Sequence, residues 1–357
     1  MEVDNPQFYE AGQAQDKGQP TYLLAAAAVS PQQSFEQMME EAVGYQGNRL
    51  SCIEPDYTRY VDAKLIRRMS RVIKMGVAAA SEALQQAGSP VPQAIITGTA
   101  YGCLADTDQF LTRMIDFKET LLSPTAFIQS THNTVAAQIA LMLQCHCYNN
   151  TYVHRGSSFE AALTDAVSLM EEGDASTVLL GVADEITEKS HAILQRFGLY
   201  KKEGDSHSLI QSHTKGTMAG EAAAFFVMSD QPAGAIAQLT AFRHFYKPKG
   251  EAAEWVQNFL QDSGYAPEDM DLVLTGYNGD IREKEHYKNL EQQLFRNNRI
   301  ATYKQYCGEY PTSIGFAWWM AAHILQAKQF KGQPVKRILI YNNYMLNYPA
   351  LYILSAC

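Results

Sequence analysis

The stretch TYLLAAAAV at residues 21–29 is apolar almost throughout, which predicts a first buried strand. A polar, turn-rich region follows to Tyr60, and helical spacing then predicts a helix over residues 63–86 that Gly88 stops. AIITGTAYG at residues 94–102 predicts a second strand, and a helical pattern over residues 105–122 ends at Ser123-Pro124, where the ring cannot continue it. The run THNTVAAQIALMLQC is small and apolar on nearly every face, which fits a helix buried on all sides or lying across a subunit contact. Residues 149–185 form the most informative unit: a short strand ending at Val153, a tight turn through Gly156, an amphipathic helix and the apolar strand TVLLGVA. Ser157 and Ser158 are read as N-caps, and Glu160 falls in the first turn, where the helix dipole favours an anion. A helix start beside a strand end can stabilise developing negative charge, so this turn is a candidate place for a reactive group. A polar region over residues 187–215, a glycine turn at Gly216 and Gly220 and the strand AAAFFVM complete the first half.

The second half repeats that order. DLVLTG at residues 271–276 echoes AIITG at residues 94–98, and a helix over about residues 283–295 follows it. Thr312-Ser313 opens the helix IGFAWWMAAHILQAKQF, which leads to the strand VKRILIY, a turn at residues 347–349 and ALYILSA. Self-similarity of whole halves implies two duplicated, pseudo-symmetric α/β units, and alternating strands and helices imply mostly parallel sheets covered by helices. The divisions expected are a mobile N-terminus at residues 1–20, a first half at 21–232 and a second at 233–357.

Composition narrows the function. With a net charge of -9 and 46% hydrophobic residues, the 357-residue chain has ample core and no basic face for a nucleic-acid partner. The basic cluster Lys64, Arg67, Arg68, Arg71 and Lys74 would make a positive stripe on one helix, which suits an acidic partner or simply a solvated face. No secretory signal or membrane span is legible, so the expected location is cytoplasmic and the six cysteines are expected to be reduced thiols. Cys145-His146-Cys147 lacks a second ligand pair at zinc-like spacing, so neither metal nor cofactor is expected.

RRMSRVIKMGVAAASEAL at residues 67–84, IITGTAYG, SPTAFIQSTHNTVAAQIAL, the unit ending in DEIT and GTMAGEAAAFFVM together resemble the β-ketoacyl synthase branch of the thiolase fold, from residue 21 to the end. The tract SPTAFIQSTHNTVAAQIAL is most similar to the divergent ketosynthase-like proteins of flexirubin and aryl-polyene pathways. The resemblance implies a thiolase-like αβαβα layered core. It also implies a nucleophilic cysteine at the helix start and two histidines, and here the matching positions hold Gly156, Gly276 and Glu309, with the family lysine kept as Lys304. Decarboxylative condensation needs a thioester-forming nucleophile and neutral imidazoles that stabilise an enolate, so the departures imply a non-condensing subunit similar to a chain length factor. Such a subunit would pair with an active ketosynthase as a heterodimer, or with itself as a homodimer, through residues 123–153, with an acyl carrier protein as a further partner.

Two other classes compete. Ser157 or Ser158 with His154 could imitate a nucleophile and its base, giving a cysteine-free acyltransferase, hydrolase or decarboxylase; a hydrogen-bonded pair facing a cleft would mark it. An apolar tunnel without convergent polar groups would mark an acyl-binding module. Arg155 suits a carboxylate or a simple ion pair, and Trp318-Trp319 suit core and interface packing or a tunnel lining. As a remnant, Glu309 is expected to tolerate Glu309→Gln at a cost within about 0.5 kcal/mol.

Overall fold

The computed structural model describes residues 20–88, 91–120 and 122–357; the N-terminal segment expected at residues 1–20 falls outside the description up to residue 19. Ten strands make one sheet: β1 Thr21–Val29, β2 Ala94–Gly98, β3 Tyr148–Tyr152, β4 Thr177–Asp184, β5 Ala222–Ser229, β6 Ala237–His244, β7 Leu272–Thr275, β8 Ile300–Thr302, β9 Arg337–Tyr344 and β10 Tyr348–Ser355. Their order is β8-β7-β9-β10-β6-β1-β5-β4-β2-β3. From the central β6–β1 pair outward, each half runs first, fifth, fourth, second and third strand, so the duplication read in the sequence is a repeat of topology.

The sheet is mixed, which corrects the expectation of mostly parallel pairing. β2 pairs in parallel with β3 and β4, and β7 with β8 and β9, whereas β5, β1, β6 and β10 run antiparallel to their neighbours. The reason is local: β9 and β10 are joined by a three-residue turn at 345–347, one residue-pair earlier than the turn expected at 347–349, and a tight hairpin can only be antiparallel.

Alternation along the strands assigns their two faces to different layers. On β9, Ile338 and Ile340 face the middle layer while Leu339 and Tyr341 face an outer one; on β4, Val178, Leu180 and Val182 face the middle and Leu179 and Ala183 the opposite outside. The middle layer holds α5 (Ser158–Glu171) and α10 (Ile314–Ala327); α1 (Arg71–Ala87) and α4 (Thr134–Leu143) cover the first half, and α7 (Ala252–Asp262) and α8 (Ile281–Leu294) the second. The result is five layers, α, β, α, β, α. Trp318 and Trp319 on α10 are buried, Trp318 edge-on to Phe159 at 5.0 Å and to Tyr352 at 5.3 Å, so they are core and not interface. Burying such a side chain contributes about 1.5–3 kcal/mol. Gly315 lets α10 press onto β4, since a Cβ there would lie 2.4 Å from Val182.

Some boundaries differ from expectation. The helix expected over residues 63–86 is two, Ala63–Ile66 and α1, parted at Ser70, so the basic stripe is split: Arg71 bonds Glu54 and Glu221, and Lys74 lies over the Tyr57 ring. The strand at 94–102 ends at Gly98, and the helix at 105–122 is α2, Leu104–Asp116, followed by α3, Pro124–Gln129, with Pro124 in its first turn. α6 occupies Glu188–Arg196 and α9 Lys304–Cys307. On α4 only Thr134, Val135, Ala136 and Ile139 are buried, and Leu141 is 72% exposed, so this helix is not buried on all sides.

Candidate functional site

The ends of β2, β3 and β4 meet the start of α5. Close packing fixes that start, because a Cβ at Gly98 would lie 2.5 Å from the Ser158 carbonyl. Arg155 takes a left-handed φ of 52° to make the turn, which few non-glycine residues adopt. Neither serine caps the helix as expected. Ser157 makes no capping bond, and Ser158 Oγ accepts the His154 N–H at 2.9 Å while its single proton serves the carbonyls of Arg155 and Thr99 at 2.8 and 2.9 Å. His154 and Arg155 are exposed, and the His154 ring lies against Tyr152 at 6.0 Å, so no His154–serine pair forms. Gly156 is buried under two rings: a Cβ there would lie 2.7 Å from Tyr344 and 3.0 Å from Tyr348.

The second-half positions close in the same way. A Cβ on Gly276 would lie 2.3 Å from Asn342 Oδ1, which already accepts the Tyr303 hydroxyl at 2.8 Å. Glu309, 2% exposed, accepts from Lys304 Nζ at 2.6 Å on one oxygen and from Asn278 Nδ2 at 2.8 Å on the other. Ser313 Oγ bonds Lys304 and lies 3.3 Å from Glu309. Lys304 and Glu309 thus form a buried ion pair with further hydrogen bonds to Ser313 and Asn278, so the expected tolerance of Glu309→Gln does not follow: the change would leave Lys304 buried beside a neutral amide. The end of β9 connects the two sets, with Asn342 against Gly276 and Tyr344 against Gly156.

Other buried carboxyls surround this region, and sequence reasoning did not single out most of them. Glu160 stands in the first turn of α5 but is buried; burial pushes it up to about 7, and one oxygen accepts the Tyr352 hydroxyl at 2.5 Å while the other has no partner. Glu283 is pushed up to about 8 by burial and by the nearby Glu309 charge. Asp184 is raised by burial, and accepts from Thr99 Oγ1, the amides of Ala100 and Tyr101, and Thr312 Oγ1 at 2.7 Å, which ties the first half to the start of α10. The only sequence signal for Asp184 is a carboxylate closing an otherwise apolar strand.

The enclosed gap between Tyr101, Asp184, His191, Tyr200 and Tyr310 has a volume of about 10 Å³, on the scale of a single water. Of the thiols, Cys145 and Cys147 precede β3, at the other end of that strand from Gly156, and burial pushes the Cys52, Cys103 and Cys307 thiols up, away from thiolate reactivity. Among the described residues no three His, Cys, Asp or Glu side chains are placed to hold a metal ion, and no helix is long and apolar enough to cross a membrane.

The chain is similar in fold to solved structures along nearly its whole length. The ishigamide ketosynthase/chain length factor matches with a TM-score of 0.75 at 15% identity, over 95% of this chain and 100% of that one. The ketosynthase in a complex with a type II polyketide synthase acyl-carrier protein matches at 0.72 and 15% identity, with the same coverage. A beta-ketoacyl synthase from Burkholderia phymatum matches at 0.77 and 13% identity, again over 95% and 100% of the two chains. No curated protein matches the sequence. The fold is therefore the thiolase-like ketosynthase fold, and because the model of the beta-ketoacyl synthase N-terminal domain matches residues 20–233, more than half of its length, this chain belongs to the beta-ketoacyl synthase family.

Proposed function

We propose that this chain is a non-condensing subunit, similar to a chain length factor, that pairs with an active ketosynthase in fatty-acid or polyketide synthesis of the aryl-polyene or flexirubin type. The observation that carries the reading is the filled space at Gly156, where Tyr344 and Tyr348 occupy the volume a nucleophilic side chain would need. The Lys304–Glu309 pair supports it, since a carboxylate beside a developing enolate would oppose the charge an imidazole stabilises. The cysteine-free enzyme needs a base on Ser157 or Ser158, and the His154 ring reaches neither.

Pairing is supported at one flank. β3 is an edge strand, and Ile115, Phe127, Ile128 and Leu141, all more than half exposed, lie on the helices α2, α3 and α4 of that half. The active ketosynthase is the favoured partner because a subunit that cannot condense gains a role beside one that can; a homodimer would cover the same surface. Lys64, Arg67 and Arg68 are exposed with no ion pair among the described residues, and on a chain of net charge -9 they suit an acidic carrier protein. The setting is cytoplasmic. Intact-mass analysis after incubation with acyl carrier protein and malonyl donors should show no adduct; a stoichiometric acyl group on Ser157, Ser158 or a cysteine overturns the reading. Co-expression with ketosynthases of the same genome should recover a mixed pair, and recovery of only a homodimer or monomer in every combination would refute the partnership.

A further inference from the structure

We propose that a groove along the outer edge of β8 binds an apolar chain that ends in a carboxylate. β8 closes the sheet at the end opposite β3, with β7 as its one strand neighbour. Between β8 and the hairpin of Gln329–Phe330 with Gln333–Pro334 lies a cavity of about 530 Å³, a size typical of small-molecule sites. Ile210, Ile300, Tyr306 and Phe330 supply apolar walls, Arg299 and Lys331 supply charge, and no acidic residue lines the cavity. In a chain with 38 acidic and 29 basic residues, an acid-free groove with two cations selects for an anion.

Arg299 is held in place, and neither cation has a carboxylate partner among the described residues. Arg299 donates from Nε and Nη2 to the carbonyls of Asp271 and Pro334 at 2.9 and 2.5 Å, which fixes the guanidinium plane, and its Nη1 is left with no partner. Lys331 and Gly332 form the two-residue turn of the hairpin with φ of 51° and 77°. Turns of this hand favour Asn, Asp or Gly at both places, and a lysine in left-handed backbone costs about 1–2 kcal/mol. The Lys331 ammonium lies 5.4 Å from the Phe330 ring centre at the rim of the groove. On the other side of the hairpin a second cavity of about 600 Å³ shares Phe330 and Lys331 but is lined by Glu36 and Glu40, which turns an anion towards β8.

Titration calorimetry on the full chain, below micelle concentrations, compares decanoate with decanol, which lacks the charge, and acetate, which lacks the chain. Decanoate should bind one-to-one, with decanol and acetate roughly tenfold weaker or more. Lys331→Gln and Arg299→Gln should each weaken decanoate by about tenfold and leave decanol unchanged. Ala301→Trp, which fills the groove, should abolish binding. Equal affinity for decanol and decanoate, or wild-type decanoate affinity in Lys331→Gln, overturns the proposal. Lys331 is an exposed turn residue, so that variant gives an answer even if the other two fold poorly. The groove does not touch Gly156, and its failure would leave the non-condensing reading standing.

Discussion

α5 and α10 are counterparts in the two halves of the middle layer, and each begins where a strand end could present a reactive group. Their starts are closed by different means. At α5 the space beside Gly156 is taken by the Tyr344 and Tyr348 rings, while the neighbouring His154 and Arg155 remain in solvent. At α10 the start is wholly enclosed, and Ser313, Lys304, Glu309 and Asn278 bond one another there. Apolar closure depends on shape and tolerates volume-conserving change; ionic closure depends on every partner being present.

The largest effect should come from breaking the ionic closure. Lys304→Met leaves Glu309 buried without its cation and should cost about 3–5 kcal/mol in urea unfolding, whereas Lys304→Met with Glu309→Leu should recover most of that loss. A pair that is no better than its apolar replacement would still obey this pattern, but a single variant as stable as the parent would show that the pair is not closed to water.

Next comes the buried carboxyl of α5. Glu160 is held at about 7, above its unfolded value of 4.5, so the folded chain keeps a proton that the unfolded chain loses as pH rises. The stabilising contribution is full below pH 4.5 and falls away between 4.5 and 7, by roughly 3 kcal/mol if the shift is complete. Glu160→Gln should remove that fall, and thermal melts of both proteins at pH 5 and pH 8 would reveal it as a smaller loss in the variant.

Gly156→Cys tests the apolar closure directly. Overpacking against Tyr344 should cost about 1–3 kcal/mol and create no acyl adduct, and adding Tyr348→Ala should relieve part of the cost without activity, since no imidazole stands at Gly276 or Glu309. The smallest effects separate the serines. Ser158→Ala orphans the His154 amide and should cost about 1–3 kcal/mol, whereas Ser157→Ala, with no cap bond to lose, should stay within about 0.5 kcal/mol.

Hydrophobic patterning made most of the sheet legible, because strands such as TVLLGVA and VKRILIY are buried on both faces and read as apolar runs. β6 escapes that signal: in AQLTAFRH only Ala237 and Leu239 are buried. Pairing direction escapes it too, since a run buried on both faces says nothing about its neighbour's sense. At the site, what fills the space beside Gly156 and Gly276 comes from β9 and the start of β10, far along the chain from either glycine, and no local spacing encodes those contacts; the surroundings of Glu309 are partly local, since Lys304 and Ser313 stand close to it in sequence. Glu160 shows the same limit: its first-turn position is legible, but its burial against the Tyr352 hydroxyl comes from residues far along the chain.

The end of β9 bears on how this chain could change. Asn342 and Tyr344 sit two residues apart on one strand, and each stands in the space that a side chain at a different glycine would need. A cysteine arriving at Gly156 meets a ring already in place, and a histidine at Gly276 meets an amide; shrinking either neighbour first leaves a hole with nothing to fill it. Each single enlargement at Gly156 or Gly276 is therefore expected to lower stability. The two positions are locked by one shared strand, so opening both needs several coordinated substitutions.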